Sequence, residues 1–150
     1  MKKLLFLIAI LLGSLFYSSL YESTVRAETP GVKCAIPKFD AEYENSKAVF
    51  VGTVIKVEKE GDKRIFEFEV DKYWKGVESK TVIVAVTENM RFQAQFKLDG
   101  QYLVFAKDDE EGGLWDGRCS RSKDLTGFGG EVEEDLKKLG EAKNCIPLNE

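Results

Sequence analysis

The chain has 150 residues, a formal net charge of −4 and no histidine. This length suits one domain, and an acidic chain is a poor candidate for gripping the phosphate backbone of a nucleic acid. Without histidine the commonest general base and the commonest metal ligand are missing, and three dispersed cysteines give no metal-ligand spacing. We therefore expect a protein that is not an enzyme and that holds no cofactor or metal.

The first residues predict export. Two lysines precede an apolar run over residues 4–16, and the sequence then turns polar before Val25 and Ala27, which suit positions −3 and −1 of a cleavage site. The run is shorter than the stretch of about 18 residues that spans a membrane. We predict a signal peptide over residues 1–27, and a secreted or cell-surface domain over residues 28–150 with no stable membrane span after cleavage.

Strand patterns dominate the predicted domain. Residues 48–58 begin apolar on both faces and then alternate, and Gly52 within them indicates a bulge. A turn centred on Gly61 and Asp62 leads to residues 64–74, where apolar and acidic residues alternate, so the two segments predict an antiparallel hairpin. Three further strands are predicted over residues 81–87, 101–107 and 114–119.

Periodicity also predicts where the side chains of these segments lie. In the first strand four alternate residues are predicted to share one side: Val51, Thr53, Ile55 and Val57. Residues 81–87 are apolar on both faces, which predicts a central or barrel-lining strand. Residues 108–113 are acidic but lack the ligand spacing of an EF-hand, so we expect a solvated hairpin tip.

A helix is predicted over residues 131–139. Its acids come first, its lysines come last and Gly140 follows, an arrangement that complements the helix dipole and the C-terminal cap. Five short strands and one docked C-terminal helix are typical of a mainly β protein with a small OB-type barrel, closed or partly open.

Two further groups of residues have a structural explanation. Glu67, Glu69 and Asp71 alternate with core residues, which predicts the solvent-facing side of a sheet rather than an acid/base pair. Tyr73 and Trp74 close an apolar strand, which predicts packing in the core or at its rim.

Five short motifs occur in one order along the chain. They are residues 34–37 (CAIP), 48–54 (AVFVGTV), 73–76 (YWKG), 100–106 (GQYLVFA) and 119–122 (CSRS). With them the chain resembles the bacterial netrin-like domain proteins, relatives of the N-terminal domain of tissue inhibitors of metalloproteinases. The resemblance covers most of the mature chain, about residues 32–140. It implies a five-stranded OB-type barrel with helices packed at one side, in a secreted or cell-surface protein.

The resemblance also implies one disulfide, between Cys34 and Cys119. A second family disulfide is missing at both ends, since Val32 stands in place of the family's first cysteine and residues 89–96 contain no cysteine. Cys145 has no family-matched partner, and its state stays open.

The inhibitor chemistry of the family depends on an N-terminal cysteine whose free amino group binds the protease zinc. Val32 occupies that position, and four residues of the predicted mature chain precede it. Its nitrogen is then an amide, whose lone pair is delocalised into the carbonyl, so it is a poor zinc ligand. We therefore expect no inhibition by zinc chelation.

Three hypotheses of function follow. The first is a secreted, non-enzymatic binding module of the netrin-like type, acting on an extracellular or cell-envelope protein. The second is a metalloproteinase inhibitor that uses a ridge at the start of the domain: Val32, Lys33, Cys34, Ala35 and Ile36. The third is a thiol-redox protein using Cys119, which arginines flank at positions 118 and 121. The partner, the oligomeric state and the choice between soluble and surface-associated protein stay open.

Overall fold

Strands are the main regular structure in the computed structural model of the protein, which describes residues 34–87, 95–126 and 130–144. The elements in these residues are α1 (Phe39–Asn45), β1 (Ala48–Glu60), β2 (Lys63–Lys75), β3 (Thr81–Thr87), β4 (Gln101–Asp108), β5 (Leu114–Trp115), β6 (Lys123–Asp124), α2 (Gly130–Leu139) and β7 (Lys143–Asn144). All of them belong to the unit Cys34–Glu150. The predicted signal peptide, Val32, Lys33, Cys145 and residues 89–94 lie outside the described residues.

Five of the strands form a ring. β1 pairs antiparallel with β2 along one edge and with β4 along the other, and β2 pairs antiparallel with β3. The short β5 then joins β3 in parallel and β4 in antiparallel orientation. The order around the ring is β1-β2-β3-β5-β4, with β6 paired to β4 and β7 paired to β2. The prediction of a mainly β protein is confirmed.

The interior of the ring is filled largely by aromatic rings. Phe50, Phe66 and Phe68 are fully buried there, and Phe96 and Tyr102 pack edge-to-face against Phe68. Edge-to-face pairs add to the free energy gained from burying apolar area. Alternating residues of β1, β2, β3 and β4 line this interior, as expected for strands that expose one face to a core.

A second apolar cluster lies on the other face of β1 and β4. Val49, Val51, Leu103 and Phe105 are buried in it. The side chains that cover them come from the helices and neighbouring segments: Phe39, Tyr43, Trp74, Leu125, Leu136 and Leu139. Burial on both faces explains why the sequence of β1 begins with a continuous apolar run.

One prediction about side-chain direction needs correction. The register of β1 against β2 shifts between Val49 and Phe50, again at Gly52, as the glycine indicated, and a third time between Val54 and Lys56. The predicted alternation over residues 51–57 is therefore wrong, because this last irregularity leaves Ile55 exposed and puts Val57 opposite Phe66.

β3 lines the ring with one face alone. Val82, Val84 and Val86 point into the apolar interior, whereas Ile83 is 59% exposed on the outside. The strand is therefore half-buried, although its composition is apolar on both faces.

β5 is shorter than predicted. It ends at Trp115 instead of Cys119. The next residue, Asp116, is completely buried, and in the turn that follows Cys119 has a φ of +64° that a strand does not accommodate. The acidic residues before β5 form the exposed hairpin tip that the sequence predicted, in which the Asp109 carboxylate accepts bonds from the backbone N–H groups of Glu111 and Gly113.

The C-terminal helix is confirmed. α2 starts one residue earlier than predicted and ends at Leu139, and Gly140 follows with a φ of +67° and donates its N–H to the carbonyl oxygen of Leu136. α1 has no counterpart among the elements predicted from residue patterns. Neither described helix is long and apolar enough to cross a membrane.

Gly76, just after β2, provides a test of how tightly the ring closes. Its φ is +61°, and a Cβ there would lie 1.9 Å from the carbonyl oxygen of Lys47, whose N–H bonds to Ala106 of β4. Gly61 has a φ of +60° but no atom within 4 Å of such a Cβ. We expect Gly61→Ala to cost about 1 kcal/mol from left-handed strain and Gly76→Ala to cost at least about 3 kcal/mol. Urea unfolding measures both, and equal losses would contradict the close contact.

Candidate functional site

The N-terminal segment is joined to the loop after β5. The sulfur atoms of Cys34 and Cys119 are at disulfide distance, and their Cα atoms are 5.5 Å apart. This geometry is consistent with the pairing that the family resemblance implies. A reactive thiolate at Cys119 would require that this bond be opened.

Arg121 holds the same two segments together by hydrogen bonds. Its Nη2 and Nε donate to the two carboxylate oxygens of Asp135 on α2, at 2.5 and 3.2 Å. Its Nη1 donates to the carbonyl oxygen of Pro37 at 2.8 Å. Asp135 is completely buried and the Arg121 side chain is nearly so, so this two-pronged pair has the geometry in which a buried ion pair is best compensated. One guanidinium therefore connects the loop, α2 and the N-terminal segment.

The described part of the predicted ridge is exposed. Cys34 is half-buried, Ala35 is exposed and the Ile36 side chain is 51% exposed. Two exposed basic residues adjoin the two disulfide-linked segments. Lys38 follows the N-terminal segment in the chain, and Arg118 precedes Cys119. The structure therefore presents a short apolar and basic surface, tethered on both sides of Ile36.

A second buried polar group lies where this loop leaves β5. The hydroxyl of Ser122 donates to the Asp116 carboxylate at 2.9 Å and accepts the backbone N–H of Phe105 at the same distance. Burial raises the pKa of the Asp116 carboxyl to about 6, against the opposing effect of bonds from Ser120 and Ser122. The nearby carboxylate of Glu42 raises this pKa further and the Lys107 ammonium lowers it.

Glu42 is the acid that α1 contributes to this group. It is 1% exposed, and its Oε2 lies 3.1 Å from Nζ of Lys107 on β4. Its Oε1 is buried and has no hydrogen-bond partner within the described part of the chain. Burying a carboxylate oxygen without a hydrogen bond lowers the free energy of unfolding, and the ion pair with Lys107 is the main interaction that offsets this loss.

These buried acids bond to neighbouring side chains of the chain itself, Asp116 to Ser122 and Glu42 to Lys107. Neither acid lines either of the two surface cavities described below. Asp116 immediately precedes the turn that carries Cys119, and Ser122 ties that turn to β4. We interpret these buried side chains as the contacts that hold the loop after β5 in place. These buried polar contacts were not predicted from the sequence, although an Asp and two serines around a paired cysteine are a usable signal of side-chain bonds within a turn.

Two surface cavities lined by described residues offer little convergent chemistry. One, of about 420 Å³, is lined by Lys63, by residues 108–111 of the acidic tip and by Trp115. The other, of about 520 Å³, is lined by residues 44–47 and by Lys75, Lys107 and Asp108. The lysines of this second cavity already bind a carboxylate or backbone carbonyl oxygens of the chain itself. Among the described residues, no three Cys, Asp or Glu side chains are grouped to hold a metal ion.

The remaining predicted side chains have structural roles. Glu69 pairs with Lys80 at 2.8 Å, and Asp71 accepts a bond from Gln101 at 2.8 Å, both at exposed positions. Trp74 packs in the second apolar cluster, and its Nε1 donates to the carbonyl oxygen of Gly140. Tyr73 packs against the interior cluster. Glu67 and Glu69 are half-buried and Asp71 is exposed, so these acids alternate with the core residues of β2 as predicted, and the two aromatic residues are partly buried at the rim of the core.

The sequence matches no protein-family model, and no curated protein matches it significantly.

The disulfide makes a clear prediction for stability. It spans 85 residues, so by loop-closure entropy we expect Cys34→Ser to lower the free energy of unfolding by about 4 kcal/mol. The matched variant Cys145→Ser should leave it nearly unchanged. Thermal melting of the two purified proteins measures the difference. Small and equal shifts would show that the Cys34–Cys119 bond does not constrain the chain.

Asp116 predicts an unusual pH dependence. Its folded-state pKa of about 6 is above the ordinary value of 3.8, so its stabilising contribution is complete below about pH 4 and is lost as the pH rises through 6. Asp116→Asn keeps an acceptor for Ser122 but cannot ionise. We expect the free energy of unfolding of the variant, relative to the natural protein, to rise by about 2 kcal/mol between pH 4 and pH 7.

Urea unfolding at a series of pH values measures this difference. The matched control is Asp62→Asn in the exposed β1–β2 turn, whose stability should parallel that of the natural protein. A constant difference between Asp116→Asn and the natural protein across this range would mean that Asp116 does not titrate there.

Proposed function

We propose that the protein is a secreted, non-enzymatic binding module of the netrin-like type that contacts an extracellular or cell-envelope protein through its N-terminal segment. The observation that carries the proposal is the state of that segment. It is anchored by the Cys34–Cys119 bond on one side of Ile36 and by the Arg121 bond to Pro37 on the other, yet Ala35 and Ile36 are exposed.

The architecture supports the finer family assignment. An OB-type barrel has five strands in Greek-key order, and the ring order β1-β2-β3-β5-β4 with its parallel β3–β5 contact fits that description. The helix packed on β1 and β4 and the Cys34–Cys119 pair fit the netrin-like resemblance. Export by the predicted signal peptide would place the domain where a disulfide persists.

Anchoring matters because of the free-energy cost of binding. A segment that must be ordered on association loses conformational entropy, and a segment already held in place does not. Ile36 offers an apolar anchor, and interfaces draw much of their affinity from a few such buried side chains surrounded by polar ones. Lys38 follows this segment in the chain, Arg118 precedes its disulfide partner Cys119, and both are exposed, which favours a partner surface with an apolar pocket and acidic surroundings.

The test compares two exposed isoleucines. The protein, Ile36→Asp and Ile83→Asp are immobilised and exposed to the culture medium and envelope fraction of the native organism. Ile83 is the matched control, since it is equally apolar and 59% exposed on β3. We expect a partner that is retained by the natural protein and by Ile83→Asp and lost with Ile36→Asp. A partner that Ile36→Asp still retains would contradict the proposal. So would a partner that is lost equally with Ile36→Asp and with Ile83→Asp.

The inhibitor hypothesis uses the same exposed residue and is separated by a titration. With no free amine at Val32, the ridge would have to bind a protease through a small area alone, and we expect no inhibition of secreted metalloproteinases at micromolar concentration. Inhibition that Ile36→Asp abolishes would replace the binding-module proposal with the inhibitor. Thiol titration addresses the redox hypothesis, which requires Cys119 to be free in the secreted protein.

A further inference from the structure

Residues 34–38, which we name the anchored segment, are held by two elements that each carry a buried acid. α1 follows the segment directly in the chain, and its Glu42 is 1% exposed. The loop after β5 begins with Asp116, which is completely buried, and carries Cys119, whose disulfide bond reaches Cys34. The Glu42 carboxylate is close enough to raise the pKa of Asp116. The two acids therefore meet where α1 and the loop pack together.

The surroundings of Asp116 make its negative charge costly. Its carboxylate accepts hydrogen bonds from the hydroxyls of Ser120 and Ser122, which do not neutralise it. The charged groups that act on it are the Glu42 carboxylate of α1 and the Lys107 ammonium of β4. Lys107 already forms an ion pair of 3.1 Å with Glu42. When both acids are ionised, two buried negative charges share this one cation, and a like charge nearby disfavours the charged form.

The loop transmits a change at Asp116 to both contacts that hold the anchored segment. The hydroxyl of Ser122 donates to Asp116 at 2.9 Å and closes the loop between these two residues. Within it lie Cys119, with its disulfide bond, and Arg121, which donates to the carbonyl oxygen of Pro37 at 2.8 Å. Opening the loop at Asp116 therefore loosens the part of the chain to which the segment is attached.

We propose that the protonation state of Asp116 regulates the anchored segment, which is held firmly in acid and loosened at neutral pH. The inference rests on the proposed function for its effect on binding, since Ile36 lies in this segment. With Asp116 protonated, one buried carboxylate faces one ammonium group. When Asp116 ionises, a second negative charge has to be solvated, and opening of the loop is favoured. A segment that is already ordered loses less entropy on binding, so the protein should bind more tightly in acid.

The direction and the size of the effect follow from proton linkage. Burial is the main cause that raises the pKa of Asp116 from its ordinary value of 3.8 to about 6. Its contribution to holding the loop closed is therefore complete below about pH 4 and is lost as the pH rises through 6. Between pH 5 and pH 7.5, the equilibrium between the closed and the open loop should shift by about tenfold.

Amide exchange followed by NMR between pH 5 and pH 7.5, corrected for the intrinsic rate at each pH, measures this opening. The reporter amides are those of Asp116, Ser122 and Glu42, each of which donates a hydrogen bond. We expect their protection to fall about tenfold across this range in the natural protein and to stay constant in Asp116→Asn. They should also exchange faster than the amide of Val70, which is bonded in the β2–β3 hairpin, because equal rates would mean that the whole fold opens.

Two further variants complete the exchange experiment. Asp62→Asn in the exposed β1–β2 turn is the matched control and should keep the natural pH dependence. Glu42→Gln removes a charge that raises the pKa of Asp116, so the midpoint of the change should move to lower pH. It keeps the test decisive if Asp116→Asn does not fold. Protection that is equal at both ends of the range in the natural protein, a tenfold change that persists in Asp116→Asn, or an unmoved midpoint in Glu42→Gln would each overturn the proposal.

The Ile36-dependent capture, repeated at pH 5 and pH 7.5, tests the consequence for binding. We expect the natural protein to retain its partner up to about tenfold more strongly at pH 5, and Asp116→Asn to retain it equally at both. The same pH dependence in both proteins would overturn the regulation and leave the proposed function standing. A capture in which no partner depends on Ile36 would contradict the proposed function, and the amide exchange would still decide whether Asp116 governs the anchored segment.

Discussion

The double pairing of β1 is the constraint on which the other parts of the described structure depend. Up to Val54 its backbone is bonded along both edges, and its side chains are buried on both faces. One face gives Phe50 to the ring interior, and the other gives Val49 and Val51 to the cluster beneath the helices. If this strand shifted its register by one residue, the side chains that pack in the ring interior and those that pack beneath the helices would exchange faces, and neither set would fit its new surroundings. The positions of α1, of α2 and therefore of Asp135 follow from it.

Buried acids are the second organising feature, and they are compensated in two different ways. Asp135 accepts hydrogen bonds from one guanidinium at both of its carboxylate oxygens, so its burial is compensated by a two-pronged ion pair. Asp116 meets hydroxyl groups, which bond to it but do not neutralise it, so burial raises its pKa to about 6. The first arrangement fixes the N-terminal segment at neutral pH. The second stabilises the loop less as Asp116 becomes charged.

The strands could be predicted because their signal is local and repeated. Alternation over β2 and the apolar run of β3 put both strands in place, with β2 one residue longer at each end than predicted. The helix α2 was predicted because its capping residues and charge order agree with its apolar spacing.

The failures have specific physical causes. α1 is seven residues long and turns an acid, Glu42, towards the core, so it lacks both the length and the apolar face of a recognisable helix. The bulge at Ile55 depends on pairing within the β1–β2 hairpin and the early end of β5 on the turn that follows it, and apolar alternation reports neither. The buried acids were missed because a pattern of Asp and serine near a cysteine indicates bonds in a turn without showing whether the Asp is exposed or buried. The exposed part of the ridge at Ala35 and Ile36 was placed by resemblance and not by any pattern.

The position of the Cys34–Cys119 bond has a consequence for how the chain matures. The two cysteines flank β1, β2, β3, β4 and β5, so the covalent loop encloses every strand of the ring and leaves α2 outside. The thiols come together when the ring has assembled, because each is attached to an opposite end of it. Oxidation would then be a late event that locks a finished ring, and until it occurs Cys145 competes as a wrong partner. A compartment with a disulfide isomerase would shorten the time the chain spends in such mispaired forms.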